Sequence, residues 1–149
     1  MHLEISYVLN HPIERVWDIL LDPEALKGAL PGIEKLESTG PDTFAVVMNL
    51  GVAAVKGRYS GTLAITDKKP PSSYRLQGEG KGAPGWTKGQ AVLTLTPEGT
   101  GTRVTAKGDA QVGGTIAGVG QRMMEGIGKS MARDFFAAMA RILDGEGVS

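Results

Sequence analysis

A run of alternating segments joined by short turns fills the middle of the chain and constrains its fold more than any other feature. Six segments alternate apolar and polar residues with period two and are predicted to be strands: Ile33–Ser38, Thr43–Leu50, Ala53–Asp67, Ser73–Gly80, Trp86–Thr96 and Thr102–Val112. Proline, glycine, serine and aspartate dominate the connections, as in Lys69–Ser72. Connections this short favour an antiparallel meander, because parallel strands need a crossover of a dozen or more residues.

The two faces of the predicted sheet differ in character. One face is apolar and includes Phe44, Val46, Met48, Leu50, Val55, Tyr59, Leu63, Ile65, Tyr74, Leu76, Leu93, Leu95 and Val104. The other face is polar and includes Lys56, Arg58, Arg75, Gln77, Glu79, Lys88, Arg103, Lys107 and Asp109. A sheet with one apolar face needs another element to cover that face.

A long helical pattern from Gly113 to Leu143 is the only element of sufficient length to provide the cover. Successive helical residues lie 100° apart. This spacing places one set of apolar residues on a single face of the first half: Ile116, Val119, Met123, Ile127 and Met131. In the second half the apolar residues Phe135, Met139, Ile142 and Leu143 lie about a quarter-turn or more further round. We therefore expect the first half to face a cavity and the second half to pack on the sheet and small helices.

The amino-terminal segment completes the predicted α+β architecture. His2–Leu9 alternates and is predicted to be a strand, and a helix follows from Pro12 through Leu21. A second short helix is predicted over Glu24–Leu30, with Asp22 as its N-cap. The whole chain, residues 1–149, is predicted to be one domain with a seven-stranded antiparallel sheet curved around the long carboxy-terminal helix.

Glycines replace side chains toward one end of the apolar face. The set comprises Gly57, Gly61, Gly78, Gly80, Gly82, Gly89 and Gly108. The predicted turns place Gly57 near Gly82, and Gly89 near both Gly80 and Gly108. Two interpretations carry equal weight: the glycines let the sheet coil around the helix, or they front an apolar cavity for a ligand. For the glycines of the helix, Gly118, Gly120, Gly126 and Gly128, tight packing on the sheet is favoured over direct ligand contact.

If the cavity exists, residues from several elements are expected to line it. The candidate ligand-binding residues are Met48, Gly57, Tyr59, Gly80, Trp86, Gly89, Val119, Met123 and Ile127. The connection Gly82–Trp86 is predicted to form part of the entrance, because an indole ring suits a boundary between water and an apolar interior. A tryptophan that merely covers the edge of the core is an equal alternative.

Composition disfavours several classes of function. Sixteen basic and sixteen acidic residues argue against a nucleic-acid partner. The absence of cysteine excludes a disulfide, a thiol nucleophile and a thiolate metal site. Both histidines lie near the amino terminus, so neither a catalytic triad nor a metal site is predicted. No signal-peptide or membrane-spanning run is found, and a cytoplasmic location is expected.

Short motifs spread over nearly the whole chain resemble one family. They are Val16-Trp17, Leu30-Pro31-Gly32, Lys56–Gly61, Gly78-Glu79-Gly80, Gly85–Gly89, Ala110–Gly114, Gly120-Gln121-Arg122 and Phe135-Phe136. Each motif is weakly specific alone, but their combination and order resemble the family of the carbon monoxide dehydrogenase G-subunit. That family belongs to the START-like (SRPBCC) helix-grip superfamily, together with the polyketide cyclases and aromatase-like proteins.

The resemblance implies a START-like, Bet v 1-like helix-grip fold, with two short helices after the first strand and a cavity under the long helix. It further implies a non-enzymatic accessory protein, without a covalently bound cofactor, that binds a quinone-like or lipid-like molecule and serves a molybdenum hydroxylase-type dehydrogenase. Two alternatives stay open: a polyketide cyclase- or hydrolase-like enzyme that uses the same cavity, and a structural assembly factor. Relatives can carry a carboxy-terminal segment for membrane attachment. Asp144–Ser149 is polar and acidic, so peripheral contact with the inner face of the membrane is an expectation that this terminus does not support.

Overall fold

One antiparallel sheet of seven strands forms the body of the protein, as a computed structural model that describes residues 1–145 shows. The strands are β1 (His2–Leu9), β2 (Ile33–Gly40), β3 (Thr43–Leu50), β4 (Gly57–Lys69), β5 (Ser73–Gly82), β6 (Gly85–Glu98) and β7 (Gly101–Gly113). Their spatial order is β1-β7-β6-β5-β4-β3-β2. The predicted meander is therefore confirmed, and the first strand pairs with the last.

Three helices and two short 3₁₀ segments accompany the sheet. The helices are α1 (Ile13–Leu20), α2 (Pro23–Ala29) and α3 (Gln121–Leu143), and the 3₁₀ segments are Ala53–Val55 and Thr115–Val119. Asp22 caps α2 as predicted, because its carboxylate accepts a hydrogen bond of 3.0 Å from the Glu24 amide. The polar residues 146–149 lie outside the described part of the chain. Within residues 1–145, no helix combines the length and hydropathy needed to cross a bilayer.

Two predicted element boundaries were wrong. The long helix does not begin at Gly113, which ends β7; a 3₁₀ segment intervenes and α3 starts at Gln121. Gly120, with φ +98°, holds a backbone conformation incompatible with a continuous helix. Likewise, the strand predicted from Ala53 begins at Gly57, because residues Ala53–Val55 form a 3₁₀ turn.

The apolar surface of α3 is one continuous band and not two separate faces. Met124, Met131, Phe135 and Ile142 lie within about 40° of one another at 100° per residue. Met123, which was predicted to face inward, is instead 56% exposed, and its neighbour Met124 is buried. The prediction of two faces failed because it began from the wrong one of two consecutive methionines.

The main apolar core lies at the end of the sheet covered by α1, α2 and the second half of α3. Phe136 is 2% exposed there and stacks on Tyr7 of β1 with ring centroids 5.9 Å apart. Phe135, which was expected to pack on the sheet and small helices, is only partly buried and meets the Phe136 ring edge to face at 5.3 Å. Trp17 of α1 packs edge-on against Tyr74 at 5.6 Å. These aromatic pairs join the helical layer to the sheet.

A polar contact fastens the carboxy-terminal end of α3 to the start of α1. His11 Nε2 lies 2.7 Å from Asp144 Oδ1. The backbone of the same histidine is held by Thr102, whose buried hydroxyl donates a hydrogen bond of 2.8 Å to the His11 carbonyl. His11 is therefore partly buried between two elements.

The glycines of α3 differ in what surrounds them. At Gly126 an added Cβ would meet no atom within 4 Å, whereas at Gly128 it would lie 2.6 Å from Leu3 Cδ1. The close packing on the sheet that was expected for the helix glycines is thus present at Gly128 and absent at Gly126. We expect Gly126→Ala to raise the free energy of unfolding by roughly 0.5–1 kcal/mol, because alanine is the better helix former. Chemical denaturation measures the gain; Gly128→Ala is the matched control, and an equal gain there would contradict the packing contact.

Candidate functional site

A cavity of about 450 Å³, partly open to solvent, separates the first half of α3 from the inner face of the sheet. The main core lies at one end of the cavity. A second apolar cluster of Val55, Tyr59, Ile116 and Met124 lies at the other end. The helix packs closely on β1 and on the other helical segments, and it stands across the cavity from β3 and β4.

The wall of the cavity is built almost entirely from apolar side chains. Helix α3 contributes Met124, Ile127, Gly128, Met131 and Ala132. The strands and neighbouring residues contribute Met1, Leu3, Ile5, Val46, Met48, Leu50, Val55, Tyr59, Leu63, Leu76, Ala91, Ala106, Ala110, Val112 and Ile116. A space with such a lining, left open within the fold, is suited to an apolar ligand.

Small residues lie opposite one another in one part of the wall that the strands β4 to β7 contribute. Gly61 pairs with Gly80, Gly78 pairs with Gly89, and Ala91 pairs with Gly108. The predicted neighbours were therefore displaced by two residues: Gly82 pairs with Tyr59, and Gly89 pairs with Ala110 on its other side. A displacement of two residues preserves the face on which a side chain lies. The prediction of an inward glycine region consequently survives the error in register.

The glycines in this part of the wall serve two different purposes. A Cβ at Gly78 or Gly80 would have its nearest neighbours at 3.7 or 3.8 Å, which is ordinary contact. A Cβ at Gly89 would lie 2.8 Å from the Asp109 carbonyl oxygen, and one at Gly108 would lie 2.6 Å from that of Gln90. Gly89 and Gly108 permit close approach of neighbouring backbones, whereas Gly78 and Gly80 leave space in the cavity. Both interpretations made from the sequence therefore apply, at different positions.

Five of the nine candidate residues lie on the cavity wall: Met48, Tyr59, Gly80, Gly89 and Ile127. Four do not line it: Gly57, Trp86, Val119 and Met123. Val119 packs against the second apolar cluster, and Gly57 lies against the ring of Pro84. Met124 takes the place predicted for Met123. That these residues contact a ligand remains a prediction.

Trp86 lies on the outer face of the sheet. It pairs with Lys81 and Gly113, and it is 45% exposed with its indole ring over Gly113. The turn that precedes it was predicted to form part of the entrance. Pro84 in that turn accepts a hydrogen bond of 2.9 Å from the amide of Ile116, whose side chain lines the cavity. The turn thus helps to close this end of the cavity.

Sequence reasoning missed several wall residues that its own pattern could have supplied. Leu3 and Ile5 alternate inward from β1, but the pairing of β1 with β7 was needed to bring them to the cavity. Thr87 was overlooked because it is polar, although its position between Gly85 and Gly89 places it on the inner face. Met131 was assigned to the inward face of the helix but omitted from the site.

The inward side chains of the cavity are uncharged, and the Met1 ammonium at its edge donates a hydrogen bond of 3.0 Å to the Ala110 carbonyl. Tyr59 donates a hydrogen bond of 2.7 Å to the Val55 carbonyl, and burial raises the pKa of its phenol, which therefore stays protonated. Strand alternation turns the side chains of Ser60, Thr62, Glu79, Gln90 and Asp109 outward, so these residues contribute mainly backbone to the wall. Within residues 1–145, no lysine, arginine or histidine lines the cavity. The same part of the chain brings no three potential metal ligands together.

A second concavity, of about 670 Å³, lies on the opposite face of the same glycine-rich part of the sheet. Its lining is mixed and includes the polar side chains of Glu79, Lys88 and Gln111. Glu79 and Lys88 are directly opposed across β5 and β6 and alternate outward as predicted. The sheet is a single layer here, with a groove of mixed polarity outside and an apolar cavity inside.

Comparison with solved structures supports the fold. A conserved protein from Geobacillus kaustophilus is 36% identical, with a TM-score of 0.95 over 97% of this chain and 96% of that chain. A START superfamily protein from Mycobacterium smegmatis is 12% identical, with a TM-score of 0.76 over 97% of each chain. A protein from Thermus thermophilus is 17% identical, with a TM-score of 0.72 over 97% of this chain and 98% of that chain. The predicted helix-grip fold is confirmed.

Comparison with curated proteins finds no match. Comparison with protein families does: the model of the carbon monoxide dehydrogenase G-subunit family (CoxG) matches residues 6–144. This match includes every helix and strand of the fold except the first residues of β1. The chain therefore belongs to the CoxG family of the carbon monoxide dehydrogenase G-subunit and has the START-like fold.

Proposed function

We propose that this protein is a non-enzymatic accessory protein that holds an apolar small molecule between α3 and the sheet. The observation that carries the proposal is the apolar cavity of about 450 Å³. Ligand pockets for small molecules commonly have volumes of roughly 300–1,000 Å³ and mostly apolar linings. A volume of this size is also far larger than the voids that ordinary packing leaves.

The helical wall is suited to ligands that differ in shape. Met124 and Met131 face the cavity from α3, and Met48 faces them from β3. Methionine is unbranched and polarizable, so its side chain can adjust to a bound molecule. The second half of α3, in contrast, is committed to the main core through Phe136 and Met139. The helix thus combines an adaptable wall with a fixed anchor.

At finer detail, the ligand is a quinone-like or lipid-like molecule that is not covalently bound, and the protein serves a molybdenum hydroxylase-type dehydrogenase. Membership of the CoxG family supports both parts of this proposal. The site of action is the cytoplasm, at or near the inner face of the membrane, where an apolar redox or lipid molecule would be collected.

The cavity offers little for a cyclase or hydrolase. General acid–base catalysis needs a titratable group within hydrogen-bonding reach of the reacting atoms. In the described part of the wall the one inward titratable side chain is Tyr59, which is already hydrogen-bonded to Val55. No specific observation favours catalysis, and a purely structural assembly role leaves the cavity without a purpose.

Mass spectrometry of protein purified under mild conditions tests the proposal directly. We expect a neutral apolar molecule to co-purify in a near-stoichiometric amount. Added back to stripped protein at about one hundred times its Kd, the molecule should raise the free energy of unfolding by about 2.7 kcal/mol, because it binds only the folded state. No co-purifying molecule, together with no stabilisation by added quinones or lipids, would contradict ligand holding. Affinity capture of a molybdenum-containing dehydrogenase tests the partner separately.

A further inference from the structure

The chemistry of the cavity wall narrows the ligand class, if the proposed function is correct. Aliphatic and aromatic side chains make up nearly all of the inward surface. Two residues with hydroxyl groups point inward by strand alternation: Tyr59 on β4 and Thr87 on β6. They differ in whether their hydroxyl is already occupied.

The Tyr59 hydroxyl is committed to the protein, because it donates its proton to the Val55 carbonyl at 2.7 Å. Thr87 is different: within residues 1–145 its side chain has no hydrogen bond to backbone or side chain. It nevertheless lies on the wall of an apolar space. A hydroxyl in such a position gains a partner when a ligand oxygen approaches it.

The surroundings of Thr87 are shaped for a flat group. Its cross-strand neighbours on the inner face are Gly80 on β5 and Val112 on β7. The neighbouring inward positions on β5 and β6 are Gly78 and Gly89, which pair with each other and carry no side chain. A ring can therefore lie against bare backbone here, with an oxygen substituent directed to the threonine.

The described side chains of the wall offer an ionised ligand no charged partner. In the described chain no basic side chain lines the cavity, and the carboxylates of Glu79 and Asp109 point to the outer face. The Met1 ammonium already donates to the Ala110 carbonyl, so a carboxylate or phosphate beside Thr87 would lose its hydration without gaining a side-chain counter-charge. The wall therefore suits a neutral hydrogen-bond acceptor.

We propose that Thr87 is the polar anchor of the cavity, and that it selects neutral ring compounds with a carbonyl oxygen over hydrocarbons and over acids. The hydroxyl of Thr87 donates to the ligand carbonyl, while the ring lies over Gly78 and Gly80. Within the proposed quinone-like or lipid-like range, this chemistry favours a ring ketone and disfavours a free fatty acid.

Three naphthalenes substituted at the same ring carbon provide matched probes for calorimetric titration: an acetyl ketone, an isopropyl hydrocarbon of similar shape, and a carboxylate. We expect the wild-type protein to bind the ketone tightest and the carboxylate at least about tenfold more weakly. Thr87→Val keeps the shape of the side chain but removes the hydroxyl. It should weaken ketone binding by roughly 3- to 10-fold and change hydrocarbon binding by less than about twofold.

Thr87→Ser is the matched rescue, because it restores the hydroxyl, and it should retain ketone binding within about threefold of the wild type. Equal effects of Thr87→Val on ketone and hydrocarbon, or a carboxylate that binds as tightly as the ketone, would overturn the anchor while leaving ligand holding intact. Failure of all three probes to bind the wild type would instead contradict the proposed function itself. Circular dichroism of each variant confirms that a lost affinity does not reflect a lost fold.

Discussion

Replacing Phe136 by alanine is expected to lower the free energy of unfolding by about 3–5 kcal/mol, as large truncations in a packed core do. The ring is 2% exposed and is stacked on Tyr7 with centroids 5.9 Å apart. A second aromatic ring, that of Phe135, meets it edge-on at 5.3 Å. The truncation would therefore leave a void where α3 meets β1, which denaturant unfolding measures.

Met124→Ala is the matched control within the same helix. Met124 is buried, but it borders a space that already exists, so its truncation enlarges a cavity and creates no new one. We expect it to cost clearly less stability than Phe136→Ala and to change the affinity for an apolar ligand instead. Equal destabilisation by the two variants, with ligand affinity unchanged in Met124→Ala, would show that the first half of α3 is ordinary core.

Replacing Gly80 by leucine is expected to reduce the affinity for an apolar ligand by more than about tenfold, with a modest effect on stability. The nearest atom to an added Cβ is the Ser60 carbonyl oxygen at 3.8 Å, so the first carbon fits without displacement. The rest of the leucine side chain would then extend from the wall into the cavity and occupy the ligand volume. Titration with a neutral apolar dye, alongside denaturant unfolding, measures both effects.

Gly89→Leu serves as the control for this variant, since both glycines line the cavity. At Gly89 an added Cβ would lie 2.8 Å from the Asp109 carbonyl oxygen and 3.1 Å from Ala110 Cβ. Neighbouring backbone would have to move, so this variant should lose stability first. If Gly80→Leu binds the dye normally, the proposed ligand volume is wrong. If it is destabilised as much as Gly89→Leu, the glycines act mainly through sheet curvature.

The elements and their faces followed from local patterns in the sequence. Alternation within β3, β5 and β7 identified the inward side chains, because side-chain direction in a strand repeats every two residues whatever the strand pairs with. Asp22 identified the start of α2 for a similarly local reason. The sheet has a large apolar face, and only one long helical pattern follows it in the sequence. This helix was therefore the one element that could cover that face. The family motifs agreed with that arrangement, and the family match bears them out.

The site depended on relations that local patterns do not specify. Strand register displaced the predicted glycine neighbours by two residues, because the extent of each turn decides pairing. The rotation of α3 exchanged Met123 for Met124, since consecutive helical residues point 100° apart and only contact with the sheet selects between them. Trp86 was assigned to the ligand site, but alternation within β6 from the inward Leu93 and Leu95 already places it on the outer face, so this error was one of local reasoning.

The sequence by itself thus determined the seven strands, the covering helix and the presence of an inward glycine region. Tertiary structure alone decided which glycines are open to the cavity, which methionine lines it and where the Thr87 hydroxyl lies. The physical reason is the distance along the chain over which each interaction acts. Periodicity and capping act over a few residues along the chain, whereas the shape of a cavity is set by distances between β1, β5, β6 and α3, which are far apart in sequence.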